Sequence, residues 1–276
     1  MTVETWQFTR IPGNADSPRR ADVVLAVFGR GSLDDSVAVS REAFGIPGQV
    51  SLESFAVRSV ARSQAPAWFD GWRTGSLRAI AEQDLDPAAI GELDAADHVH
   101  LVSIEVEAPR DLAYLQGAWG MARFLVARGA SVVLDAHAMT FVAGDALPPA
   151  DAPLDIRREV RKVFETSSTR PDLAHALHTR GLRKFGAPDL VALCTDTDAR
   201  FVASAMGEIA ELIARGTDVT GARQPVDVAP GVTWFLVEDE HRLGDILQLN
   251  NTARVIVDEA GNDLVGVLGR LPRGTG

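Results

Sequence analysis

Hydrophobic spacing changes character twice between Val99 and Asp135. Val99 to Val106 reads as a strand. Apolar residues then fall at Leu112, Leu115, Trp119, Ala122 and Val126, one face of a period near 3.6, which predicts a helix over Leu112–Arg128. Pro109, Arg110 and Asp111 suit a helix start. Arg128 suits the negative end of the helix dipole, and Gly129 can take a left-handed cap. Ser131 to Asp135 is a short buried strand. Gly117 and Gly120 lie inside the helix at a cost of about 1 kcal/mol each relative to alanine, which close packing against a sheet would explain.

A second phrase has the same form. Trp119 to Gly129 can be laid against Met206 to Gly216, each ending in Ala-Arg-Gly. The second helix is predicted over Asp198–Arg215, after a strand at Leu190–Cys194 and before one at Val232–Val237. Two readings stay open: a duplicated strand–helix–strand unit, or two amphipathic helices alike only in their endings.

Elsewhere the pattern is plainer. A short strand is read around Trp6-Gln-Phe8 and a buried one over Asp22–Phe28. Residues 45–95 are punctuated by Gly and Pro. Leu77–Gln83 and Pro87–Leu93 read as short helices, and Trp68, Phe69 and Trp72 as a satellite core under a long loop. Residues 143–155, rich in Pro, Ala and Asp, form the best linker. They separate an N-terminal half, 1–147, from a C-terminal half, 156–276, unless the whole is one compact domain. Ile156–Glu165 is charged and of undecided type. Residues 219–231 read as a loop. Arg254–Asp258 and Leu264–Leu268 read as a hairpin about the turn 259–263, followed by a loose tail from Leu271. The fold class expected is α+β, or α/β, with a mixed sheet and long helices near 110–128 and 198–215.

Composition narrows the function classes. The 276 residues carry a net charge of −11, which argues against a general nucleic-acid or membrane-surface binder. No run approaches the roughly 18 apolar residues of a membrane span, and the N-terminus lacks the order of a signal peptide. A single cysteine, Cys194, excludes an internal disulfide and fits a reducing cytoplasm. It closes an apolar run and reads as a buried, inert thiol.

Candidate chemistry is sparse. Phe28-Gly-Arg-Gly-Ser-Leu-Asp34 has Gly29 and Gly31, yet Asp34 stands where the dinucleotide fingerprint needs its third glycine, so a plain turn is read. No cofactor motif is complete. His98 and His100 share one face of a strand and could supply two metal ligands. The next candidate, His137, falls at the far end of another strand, about 20 Å away at ~3.3 Å per residue, so no metal is expected. Asp135 and His137 lie at the carboxyl end of a strand, where an Asp–His pair could act as a base. Between Ile156 and Gly186, Lys and Arg stand at 157, 158, 161, 162, 170, 180, 183 and 184, and acids at 159, 165 and 172. Eight cations less three anions leave +5, against the sign of the whole chain. A small anionic ligand or an acidic protein surface is the partner this suggests. Arg180, Arg183 and Lys184 would bind the anion, with His178 as acid or base; the alternative is a solvated basic face.

The phrase His178-Thr-Arg-Gly-Leu-Arg-Lys-Phe-Gly186, followed by Pro188-Asp189-Leu190, resembles a bacterial family of unknown function. There a His-Thr-Arg-Gly-Met-Arg-Lys-Phe-Gly-like phrase precedes a strand and a helix. The stretch from Gly117 to Asp135 is similar to that family's other landmark, so the resemblance covers about 100–236. It implies no activity and supplies no catalytic residue. The expectation is a soluble, cytoplasmic, non-catalytic binding or interaction protein. The alternative is an enzyme acting on a phosphorylated or carboxylated small molecule through His178, Arg180 and Arg183.

Overall fold

Strand β1 (Arg20–Gly29) is buried along nearly its whole length, so it must be covered on both faces. It belongs to the first of two compact units, residues 1–8 with 21–154; the second holds 9–20 with 155–276. The structure is a computed structural model and describes residues 6, 19–33, 38–166 and 175–264.

In the first unit β1 is followed by α1 (Arg41–Phe44), β2 (Ala56–Ala61), α2 (Pro66–Gly71), α3 (Gly75–Asp84) and α4 (Pro87–Ala95). Then come β3 (His98–Glu107), α5 (Ala113–Ala127), β4 (Ala130–Asp135) and β5 (Thr140–Ala143). The sheet order is β2-β3-β1-β4-β5. The crossover from β3 through α5 to β4 therefore steps over β1. Asp97, at the head of β3, donates its N–H to Gly29 O at the tail of β1, and β1 pairs antiparallel with β4. Phe28, Phe69, Leu93, Val99 and Leu134 share a core with α2–α4 on one face, and α5 covers the other. Continuous apolar runs such as Asp22–Phe28 follow from that double cover.

The helix expected at 112–128 is α5, and Gly129 takes the left-handed cap at φ 101°. It differs from a one-faced amphipathic helix. Twelve of its fifteen residues are buried, from Ala113 through Ala122 and then Phe124 and Leu125. The reason lies in residues 44–55, which pack on the side away from the sheet. A Cβ on Gly120 would lie 2.4 Å from Ile46 Cγ1, and one on Gly117 2.9 Å from Phe55 Cζ. The two glycines thus admit this segment, not the sheet. Arg123 anchors it: its guanidinium donates to Phe44 O at 2.7 and 3.0 Å and to Pro148 O at 3.2 Å.

The second unit holds α6 (Ile156–Glu159), β6 (Arg161–Glu165), β7 (Ala176–Arg180), β8 (Asp189–Leu193) and α7 (Ala199–Ala214). These are followed by β9 (Arg223–Ala229), β10 (Val232–Glu238), α8 (Leu243–Ile246) and β11 (Ala253–Val257). Its sheet is mixed, in the order β6-β7-β8-β11-β10-β9, with β8 and β11 parallel. Helix α7 packs on one face; Leu243 and Leu247 close a core with Ala176, Val191, Leu193, Val255 and Val257. Gly216 repeats the left-handed cap of Gly129, at φ 108°. The crossover through α7 steps over two strands where that through α5 steps over one. The architecture is α+β.

Several expectations change. Residues 219–231 contain a strand, β9, at the edge of the sheet. Pro225 sits in it opposite Phe235, which an edge strand tolerates because one side of its backbone makes no ladder bonds. Residues 156–165 resolve into a single helical turn and a strand. Strand β11 pairs with β8 and β10; the expected partner strand at 264–268 lies, but for Leu264, outside the described residues, as do residues 269–276. So do Gln7 and Phe8 of the expected first strand; Trp6 is buried, its N–H donating to Gln116 Oε1 at 3.0 Å. The aromatic cluster forms α2: Phe69 is buried, and Phe28 and Trp68 each meet Trp72 edge-on. Among the described residues no helix is long and apolar enough to cross a membrane.

Candidate functional site

The basic phrase of the second unit folds into a corner between β7 and β8. Gly181 (φ 112°) and Gly186 (φ 67°) take left-handed conformations on either side of a 3-10 turn, Leu182–Phe185. Asp189 organises the corner from within. Its Oδ1 accepts from Thr179 Oγ1 at 3.0 Å and from Leu182 N at 3.2 Å; its Oδ2 accepts from Asn251 Nδ2 at 3.0 Å. Thr179 Oγ1 in turn accepts from Leu190 N at 2.8 Å. Burial pushes the Asp189 carboxyl up to about 6, although these donors favour its charged form.

The expected anion binders are engaged inside this corner. Arg180 donates to Leu247 O and Gln248 O at 3.3 and 3.2 Å. Arg183, exposed, donates to Asn250 O at 3.3 Å. Lys184 is 0% exposed and ion-paired with Glu159, itself 3% exposed. Lys162 donates to Ala203 O at 3.0 Å. Arg170 lies outside the described residues. His178 is 0% exposed, with Nε2 3.5 Å from Glu165 Oε1. Burial, then the charge of Arg180, lowers its pKa to about 4, so it is a neutral imidazole. The structure thus brings His178, Arg180 and Lys184 to one corner and turns them inward.

In the first unit Asp135 and His137 adjoin but do not pair through the ring. Asp135 Oδ1 accepts the backbone N–H groups of His137 and Ala138, both at 3.0 Å, which fixes the turn after β4. The carboxylate beside the His137 ring is Asp22 of β1, 3.4 Å from Nε2. His98 and His100 stack at 6.3 Å and 17°. His98 Nδ1 lies 2.7 Å from Asp97 Oδ1, and His100 Nδ1 2.8 Å from Ser59 Oγ. Burial, reinforced by His98, lowers the pKa of His100 to about 4. Among the described residues no three His, Cys, Asp or Glu side chains gather as a metal centre. In the loop after β1 Gly31 N–H donates to Asp97 Oδ1 at 2.8 Å, a tie to the head of β3; Asp34 lies outside the described residues. Cys194 is buried, and burial with Asp198 and Asp196 nearby raises its thiol to about 11.

A cleft that sequence reasoning passed over lies at the far end of β3. It measures about 440 Å³. Its walls are Gln49, Val50, Ser51 and Ser54, then Ile104 to Glu107 of β3, then Pro109, Arg110, Asp111, Ala113 and Tyr114 at the start of α5. Glu105, Glu107 and Arg110 are exposed. Asp111 Oδ1 accepts from Ala113 N at 2.9 Å and so caps α5. The signal that could have found the cleft is Glu105-Val-Glu107: two acids on one face where a strand is about to end. No protein-family model matches the chain, and neither a curated protein nor a solved structure is similar to it.

Proposed function

We propose that this protein is a non-catalytic binding or interaction module, and that the cleft between β3 and α5 is its contact surface. One observation carries the reading. Of the groups suited to catalysis, Arg180, Lys184 and Asp189 are bonded into the corner of the second unit and His178 is wholly enclosed, whereas Glu105, Glu107 and Arg110 are exposed side chains lining the cleft. The lone buried Cys194 supports a reducing, cytoplasmic setting. The resemblance of 178–190 to a bacterial family of unknown function agrees with this and adds no activity. The test is a screen of the purified chain against phosphatase, esterase and amidase substrates, paired with amide NMR titrations. Shifts at 49–54 and 104–114 without turnover are expected. Turnover that disappears in His178→Gln would overturn the reading.

A second reading is favoured by the exposure of Arg157, Arg158 and Arg183: a small anion, or an acidic protein surface, meets the segment 156–186. As an enzyme on a phosphorylated or carboxylated molecule it has less support, because His178 is wholly enclosed. Isothermal titration with inorganic phosphate tests it; an affinity unchanged by Arg183→Ala removes it.

A further inference from the structure

The polar groups around the cleft beside β3 differ in what they already do. Asp111 caps α5 through Ala113 N, and Ser51 Oγ accepts from Glu53 N. Gln49, Glu105 and Tyr114 already have partners. Two charged groups are left. Glu107 and Arg110 line the cleft, are exposed, and form no hydrogen bond or ion pair among the described residues. They stand three positions apart with opposite charge, yet they do not pair with each other. The chain between them is held in an unusual shape. Ala108 takes φ 43°, a left-handed conformation that alanine rarely adopts and that a following proline disfavours further. Pro109 is buried, and its ring fixes its own φ. Strain of this kind persists where the surroundings fix it, and it gathers at ligand sites. Much of the remaining wall is apolar, from Val50, Ile104, Val106 and Ala113.

We infer that the cleft binds a small zwitterion with an apolar body, an α-amino acid or a dipeptide, whose carboxylate meets Arg110 and whose ammonium meets Glu107. This rests on the binding reading above and names the ligand class for the same cleft. A volume of about 440 Å³ suits a small molecule. A guanidinium donates to a carboxylate through two parallel bonds, and an ammonium donates to a carboxylate as a point charge. The two free charges cancel, so a ligand bearing one charge alone leaves the opposite group unanswered. Exposed ion pairs contribute little by themselves. The apolar body, moved out of water onto Val50, Ile104 and Val106, supplies the rest of the affinity.

The probes are phenylalanine and the dipeptide alanylphenylalanine, each titrated into the full-length protein at pH 7 and followed by amide NMR; the tighter of the two tells a free amino acid from a dipeptide. Controls are 3-phenylpropionate, which lacks the ammonium, 2-phenylethylamine, which lacks the carboxylate, and glycine, which lacks the apolar body. The expected result is saturable shifts at 49–54 and 104–114, with each control weaker by about threefold or more. In Glu107→Gln the advantage over 3-phenylpropionate should vanish, and in Arg110→Gln the advantage over 2-phenylethylamine. The ligand series on the unaltered chain decides the matter even if a variant folds poorly. Failure of both zwitterions to move these resonances would overturn the inference, as would controls that bind equally well. If the controls or neutral fragments moved the same resonances with no advantage to the zwitterions, the cleft would remain a binding surface and only the ligand class would fall; turnover in the enzyme screen would remove the binding reading itself.

Discussion

The corner at 178–189 and the cleft at 104–111 contain similar material put to opposite use. Each carries four charged side chains at the end of a strand: Arg180, Arg183, Lys184 and Asp189 in one, Glu105, Glu107, Arg110 and Asp111 in the other. In the corner, donors meet acceptors inside the fold. In the cleft, Asp111 caps α5, while Glu105, Glu107 and Arg110 are exposed around a space open to a ligand. Charge density along a sequence therefore says little about ligand binding until the partner of each donor is known. Backbone carbonyls decided the matter for Arg180 and Arg183, and a carbonyl leaves no mark in a sequence.

Breaking the corner should produce the largest effect. Lys184→Ala leaves the Glu159 carboxylate buried without its cation, which typically costs about 3–5 kcal/mol. Urea unfolding should show a correspondingly lower midpoint. Replacing both partners, Lys184→Met with Glu159→Leu, should recover most of the loss, because a buried pair exchanged for apolar groups is often near neutral. Next comes Asp189→Ala, which leaves Leu182 N and Asn251 Nδ2 without their shared acceptor, at a cost of about 3 kcal/mol. In the first unit Gly120→Ala forces a methyl against Ile46 and Phe44 O; about 2 kcal/mol of destabilisation by overpacking is expected in the same measurement.

These effects also show which parts of the fold were legible. The spacing of Leu112, Leu115 and Trp119 located α5 to within a residue at each end, because a periodic face reports a helix directly. It could not show that the opposite face is buried too, since residues 44–55 carry no pattern of their own. Strand β9 escaped notice because Pro225 and Pro230 read as loop, a sound rule for a central strand and a poor one at a sheet edge. The burial of Lys184 was hidden for a different reason. Its partner Glu159 lies 25 positions earlier, and no local pattern ties the two. The phrase from His178 to Asp189 is polar because a tight corner between two buried strands needs internal donors and acceptors. Its Thr, Gly, Lys and Asp are the parts of that corner.

Acidification separates the two units more gently. His100 in the first and His178 in the second both have pKa values lowered to about 4 by burial. Between the ordinary value near 6.5 and about 4, the unfolded chain binds more protons than the folded one. Stability then falls as pH falls, by about 2 kcal/mol per histidine between pH 6.5 and 5. Asp189 works in the other direction. Its pKa is raised to about 6, so the folded state holds the extra proton and gains stability as pH drops through that value. His100 has no such counterweight among the shifted groups of its own unit. Amide hydrogen exchange at pH 7 and pH 5 should therefore show β3 losing more protection than β7. Equal losses would mean that Asp189 is already satisfied as a carboxylate and titrates low.

The smallest expected effect is the most telling for the comparison. Glu107→Ala removes an exposed side chain at the edge of the cleft, and surface changes of this kind stay within about 0.5 kcal/mol. Arg180→Ala, on the other side of the comparison, withdraws a donor from Leu247 O and Gln248 O; Gln248 has the unfavourable φ of 52°. About 1–2 kcal/mol is expected there, since the turn loses both a bonding partner and the restraint holding it. Thermal melting in parallel resolves the two. Should Glu107→Ala prove as costly as Arg180→Ala, the cleft would be a second structural corner, its carboxylates committed to the fold as Asp189 is. A silent Glu107→Ala beside a damaging Arg180→Ala would leave Glu107 as a charge at the cleft kept without a structural duty, which is what a binding residue must be.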